Sequence, residues 1–203
     1  GLSTIERHKQ LLTEEQYKTY KAEVRAIRAL YYYYLMDMFG NIPLVTTVNE
    51  DTENAEQASR PEVYKFIVKE LQEVAPLLPT GHSNHAGVYY GRVTRSVANF
   101  LLAKLMLNGE VYSDANWTDN QRPDGRQTYF TVDGQQMNIW QACKHYCDKV
   151  TADGFTLAPD YLSNFYVHNE DSPENIFIIP LDKHLYKSQL QYLLDRKSTR
   201  LNS

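Results

Sequence analysis

One stripe of large apolar residues limits this chain's fold more than any other feature: Tyr17, Tyr20, Val24, Ile27, Tyr31, Tyr34, Leu35 and Met38. Steps of three and four place them on one side of a helix, which the pattern predicts to be its buried face. Thr13-Glu14-Glu15-Gln16 has capping-box spacing, so the Thr13 hydroxyl and the Gln16 amide can each satisfy a backbone donor of the other. Lys18, Lys21, Arg25 and Arg28 fill much of the other side, which is expected to face solvent. Gly40 can take a left-handed C′ position and stop the helix. Ile42-Pro43-Leu44-Val45 is then extended, because proline biases its predecessor away from the helical region. A helix this long must dock on others, so the fold class is mainly α.

The rest of the chain repeats that grammar. Residues 49–58 are acidic and polar and read as a surface loop. Ser59-Arg60-Pro61-Glu62 is a second capping box, and Tyr64, Ile67, Val68, Leu71, Val74 and Leu78 form the next apolar face. Pro76 and Pro79 end it. A linker over 80–93 carries Gly81, Gly87 and Gly91. Thr94 opens a third helix with Val97, Leu101, Leu105 and Tyr112 in register, crossed by Gly109, which either weakens it or lets another helix approach closely. Residues 113–136 are polar, and loops that long are usually functional or disordered. Thr128 to Val132 followed by Asp133-Gly134 suggests a small hairpin. A fourth helix over about 137–153 uses Ile139, Ala142, Cys143, Tyr146 and Val150, with Gly154 as its stop. A short helix at 161–167 and a strand at 174–180 complete the reading. The expected architecture is irregular helical hairpins of tetratricopeptide (TPR) type with long loops and minor β structure, although no strict period of about 34 residues appears.

Length and charge exclude several classes. The chain has 203 residues, one domain or one and a half at roughly 100–200 residues each. Its net charge of −4 offers no basic surplus for nucleic acid. No apolar run approaches the roughly 20 residues of a membrane helix. Two cysteines cannot make a disulfide scaffold. Tyrosine is the outlier, with 16 against 7 Phe and 2 Trp. The chain starts at Gly1 with no initiator Met, so its true start is expected upstream and nothing follows about its compartment. Asp195-Arg196-Lys197-Ser198-Thr199-Arg200-Leu201-Asn202-Ser203 resembles the frame translation of a sequencing adapter. Native sequence is therefore expected over 1–194, with 195–203 foreign to the fold.

Several stretches together resemble the SusD/RagB family. They are Glu23-Val24-Arg25-Ala26-Ile27-Arg28-Ala29-Leu30-Tyr31-Tyr32-Tyr33 and Asp37-Met38-Phe39-Gly40-Asn41-Ile42-Pro43-Leu44-Val45. Next come Arg60-Pro61-Glu62-Val63-Tyr64, Leu77-Leu78-Pro79 and Gly91-Arg92-Val93-Thr94. Leu101-Leu102-Ala103-Lys104, Leu107-Asn108-Gly109-Glu110-Val111-Tyr112, Gly154-Phe155-Thr156-Leu157 and Ser172-Pro173-Glu174-Asn175-Ile176-Phe177 follow in family order. The resemblance implies a SusD-like α/α superhelix in a lipoprotein on the outer membrane of Bacteroidetes-type bacteria. It implies binding of an oligosaccharide or other nutrient and delivery to a SusC-type TonB-dependent transporter. It implies no enzyme activity and no cofactor, and it makes this chain the middle of a longer protein whose lipidated cysteine lies elsewhere. Gly109 stands where the family usually has Ala, and 116–136 is longer than the resemblance leads one to expect.

Candidate chemistry is sparse. Cys143 and Cys147 lie one helical turn apart, but zinc needs three or four converging ligands, so buried thiols are expected. His82 and His85 sit in a Gly/Ser/Asn loop and are expected to be solvated. Asp119, Asp124, Asp133, Glu170 and Asp171 show no pairing that glycoside hydrolysis would need. Tyr31 and Tyr34 are expected in the core. Trp117, Asn120, Arg122, Asp124 and Tyr129 combine a flat aromatic face with hydrogen-bonding groups, the mixture a pyranose requires, and are the candidate ligand-binding residues. The alternatives to nutrient binding are a TPR-type protein–protein scaffold without a small ligand, and a carbohydrate-active α-helical enzyme. Isolated from the rest of a superhelix, the chain is expected to be marginally stable.

Overall fold

The structure, a computed structural model, describes residues 1–47, 55–166 and 168–180. The foreign tail expected at 195–203 and most of the acidic loop expected at 49–58 lie outside the described residues. Helix α1 (Leu2–Arg7) and a 3-10 turn lead into α2 (Glu14–Phe39). The paired dipeptides β1 (Ile42–Pro43) and β2 (Gln57–Ala58) bring the chain to α3 (Arg60–Val74). Then come α4 (Arg95–Leu107), α5 (Gly109–Tyr112), the hairpin β3 (Tyr129–Val132) and β4 (Gln135–Asn138), and α6 (Ile139–Ala152). A 3-10 helix at Tyr161–Phe165 follows. The long helices pack in sequence order, α2 on α3, α3 on α4, and α4 on α6. No described helix is long and apolar enough to cross a membrane.

Local signals set most boundaries. Both expected capping boxes form, Thr13 with Gln16 and Ser59 with Glu62, and Asn138 with Gln141 makes a third at α6. The Asp133-Gly134 turn has positive φ at both residues, +49° and +80°, as the two-residue hairpin turn demands. The expected third helix breaks at Asn108, so Tyr112 belongs to a separate short turn. Gly109 starts that turn because a Cβ there would lie 2.9 Å from the Tyr64 hydroxyl and 3.0 Å from Ile139 Cδ1. The strand expected at 174–180 does not form; no described strand pairs with it, and Ile176 and Phe177 instead lean on the core as irregular chain.

The core is built from α3, α4 and α6 much as their periodicity predicts: Ile67, Leu71, Leu102, Leu105 and Ile139 are fully buried. Tyr64 meets Tyr112 and Phe130 at centroid distances of 5.6 and 5.4 Å. Burial pushes the phenols of Tyr64 and Tyr112 well above their ordinary range. Helix α2 departs from expectation. Its buried face is Ala22, Ala26, Ala29, Tyr33 and Met36. At about 3.6 residues per turn this stripe lies nearly opposite the one read from the large residues. Tyr31, Tyr34 and Met38 are 65%, 50% and 65% exposed. The helix is apolar on two sides, and close approach to α3 selects the side with small side chains. Arg25 and Arg28, expected in solvent, converge instead on Glu70 of α3 at 2.5 Å each. Burial would raise that carboxyl, but the two guanidiniums outweigh it and hold it below the usual carboxylate range.

Candidate functional site

The polar chain between α5 and β3 is folded by its own short side chains. The Asp114 carboxylate accepts from the Asn116 N–H at 2.8 Å, and the Asn116 side-chain oxygen accepts from the Thr118 hydroxyl at 2.6 Å. Asp119 and Asp124 each accept, at 2.8 Å, from the N–H two residues on. These are consecutive Asx turns. Asn120 is left-handed, φ +58°, a conformation asparagine tolerates. The loop is pinned at Gly125, whose N–H donates to Glu110 at 2.8 Å. A Cβ on Gly125 would fall 2.6 Å from Ile139 Cδ1 and 2.7 Å from Trp140 Nε1, so α6 admits no side chain there.

That scaffold brings Trp117, Asn120 and Arg122 to the edge of one surface depression of about 520 Å³, with Arg60, Val111 and Asp114. Arg60 is braced by a 2.9 Å bond to the Asp114 carbonyl. Trp117 is 78% exposed, an open indole face beside an amide and a guanidinium. Such a group can stack on the C–H face of a sugar ring and bond its hydroxyls. Asp124 and Tyr129 do not line this depression. Asp124 is occupied in its turn, with its carbonyl accepting from Thr128, and Tyr129 stands on β3 opposite Asn138.

Sequence reasoning missed a second concavity. Tyr34 of α2, Phe100 and Lys104 of α4, and Leu157, Tyr161 and Phe165 line an apolar groove of about 940 Å³. These residues share no period and come from separate segments, so only the fold reveals them. Of the linker histidines, His85 is exposed as expected and His82 is not. His82 stacks on Phe155 at 4.2 Å and bonds the Asp153 carbonyl at 2.9 Å, so it is a strut rather than a solvated side chain. Of the two cysteines, Cys143 is half-buried with its thiol 3.5 Å from the Ala103 carbonyl, whereas Cys147 is exposed because its position falls outside the α6 contact face.

Residues 1–107, just over half of the chain, match the SusD-like family model described as starch-binding, associating with outer membrane. The chain is 24% identical over 167 residues to the starch-binding protein SusD of Bacteroides thetaiotaomicron, aligning 79% of this chain with 24% of that protein. A solved SusD homologue from Bacteroides thetaiotaomicron superposes with a TM-score of 0.66 at 21% identity, over 93% of this chain and 34% of its own. A laminarin-binding SusD-like protein gives 0.60 at 25% identity, over 82% and 31%. The chain thus spans about a quarter of the curated relative and about a third of these solved structures.

Proposed function

Because the chain belongs to the SusD-like family, we propose that it is part of a non-catalytic protein that captures glycan at the bacterial cell surface. The glycan then passes to a SusC-type TonB-dependent transporter in the outer membrane, to which a lipidated cysteine elsewhere in the full protein keeps it close. The observation that carries this reading within the chain is the exposed Trp117 face, set beside Asn120 and Arg122 on a loop already folded by its own turns. A preformed loop spares the ligand the cost of ordering it. The test is a fluorescence titration with maltoheptaose and laminarin oligosaccharides in a Trp140→Phe background, where Trp117 remains as the indole. Quenching that saturates, and calorimetric binding of the same oligosaccharides that is lost in Trp117→Ala, is the expected result. Unchanged binding in Trp117→Ala would move the site off this loop.

A protein–protein scaffold is the second reading, favoured by the exposed side of α2 with Tyr31, Tyr34, Leu35 and Met38. It predicts no response to any glycan.

A further inference from the structure

We infer that a second cleft, between α3, α4, α6 and β3 and separate from the Trp117 depression, binds one neutral polyhydroxylated unit: a free sugar or cyclic polyol, or one residue of a longer glycan. Its volume is about 610 Å³, within the roughly 300–1,000 Å³ of small-ligand sites. The first support is Asn99. Its residue is only 3% exposed, it lines the cleft, and no described residue hydrogen-bonds its side-chain amide. An amide on so little exposed a residue, at the wall of the cleft, is a polar group a ligand hydroxyl can reach and bond. The second support is the fixed polar frame around it. Gln72 donates to the Thr131 carbonyl at 2.9 Å and to the Tyr146 hydroxyl at 3.0 Å. Burial pushes the Tyr146 phenol up to about 12, so it stays a neutral group.

Charge selects the ligand class. Each cation of the cleft already holds an anion: Arg95 with Asp153 at 2.9 Å, and Lys149 with Asp133 at 2.6 Å. Ser96 adds a 2.7 Å bond to Asp153. A charged ligand would have to displace a partner or meet a like charge, whereas hydroxyls both donate and accept and can use the lone pairs and protons these pairs leave over. Leu102 and Pro76 supply apolar wall for the C–H face of a ring.

Amide NMR on the full chain tests this, with D-glucose, D-galactose, D-mannose and myo-inositol as neutral probes, maltoheptaose as a longer glycan and D-glucuronate as the charged control. At least one neutral probe should shift the amides of Gln72, Asn99, Thr131 and Tyr146, and D-glucuronate should bind at least about tenfold more weakly. Asn99→Leu should weaken the shift about tenfold or more, and Gln72→Met should do the same from the rim in case Asn99→Leu fails to fold. Trp117→Ala should leave the shifts intact, so failure here and failure of the Trp117 reading are separate results. Shifts with maltoheptaose but with no free neutral probe would assign the cleft to one residue of a polymer. No shift at these residues with maltoheptaose or with any neutral probe at about 100 mM, or equal shifts in both variants, would overturn the inference.

Discussion

Glu70 shows how much one residue can carry. It is 6% exposed and clasped by Arg25 and Arg28 of α2, with Arg25 also reaching Glu73. Glu70→Ala would leave the largely buried Arg28 without its carboxylate and Arg25 with Glu73 alone, and should cost about 3 kcal/mol in chemical denaturation. The folded carboxyl lies below its unfolded value of about 4.3, so its contribution is complete above that pH and is lost as pH falls through the lower folded value. Glu70→Gln should therefore show a shallower acid loss of stability than the parent chain. The clasp was not legible in the sequence, because Arg25 and Arg28 look like any solvated charges until α3 is placed beside them. Gly109 was legible in kind: a glycine inside a helical pattern signals either weakness or close approach, and the neighbours at 2.9 and 3.0 Å decide for approach. Gly109→Ala should lower the urea midpoint by an amount equivalent to about 1–2 kcal/mol, since the buried Tyr64 ring cannot retreat freely.

At the scale of elements, the four long helices were read from the sequence, whereas the short α1, the break at Asn108 and one helix face were not. Capping boxes and the Asp-Gly turn are local chemistry, so three helix starts and the hairpin follow from a few neighbouring residues. Which side of α2 is buried depends on the partner. Large residues mark one side, yet the close packing with α3 uses the alanines. The two sides should respond oppositely to substitution. Ala26→Leu, at 1% exposure, should destabilise by about 1–3 kcal/mol through overpacking. Tyr31→Ser, at 65% exposure, should stay within about 0.5 kcal/mol. Thermal unfolding of the two variants side by side separates the assignments. The strand expected at 174–180 failed for a related reason: β propensity needs a neighbouring strand to bond, and the fold provides none among the described residues.

Over the whole molecule, apolar surface left uncovered on α2 governs behaviour in solution. Tyr31, Tyr34, Leu35, Met38 and Phe39 are all exposed along one end of the helix. The chain should self-associate with rising concentration in sedimentation velocity, and Tyr31→Ser with Met38→Ser should reduce this without moving the melting temperature. The candidate site was partly legible at this scale. Trp117, Asn120 and Arg122 meet because they are near neighbours on one self-folded loop, whereas Asp124 and Tyr129 fall at and beyond the point where Gly125 turns the chain onto α6. The groove and the polar cleft draw on segments far apart in the chain, and no local pattern announces them. Packing in sequence order also sets a timetable during synthesis. Helix α3 can dock on α2, and α4 on α3, as each emerges from the ribosome. The Trp117 loop can make its own turns and its bond to Glu110 then, but the surface under Gly125, from Ile139 and Trp140, is made later. The loop proposed to meet the glycan is therefore translated mid-chain but matures only once α6 has arrived.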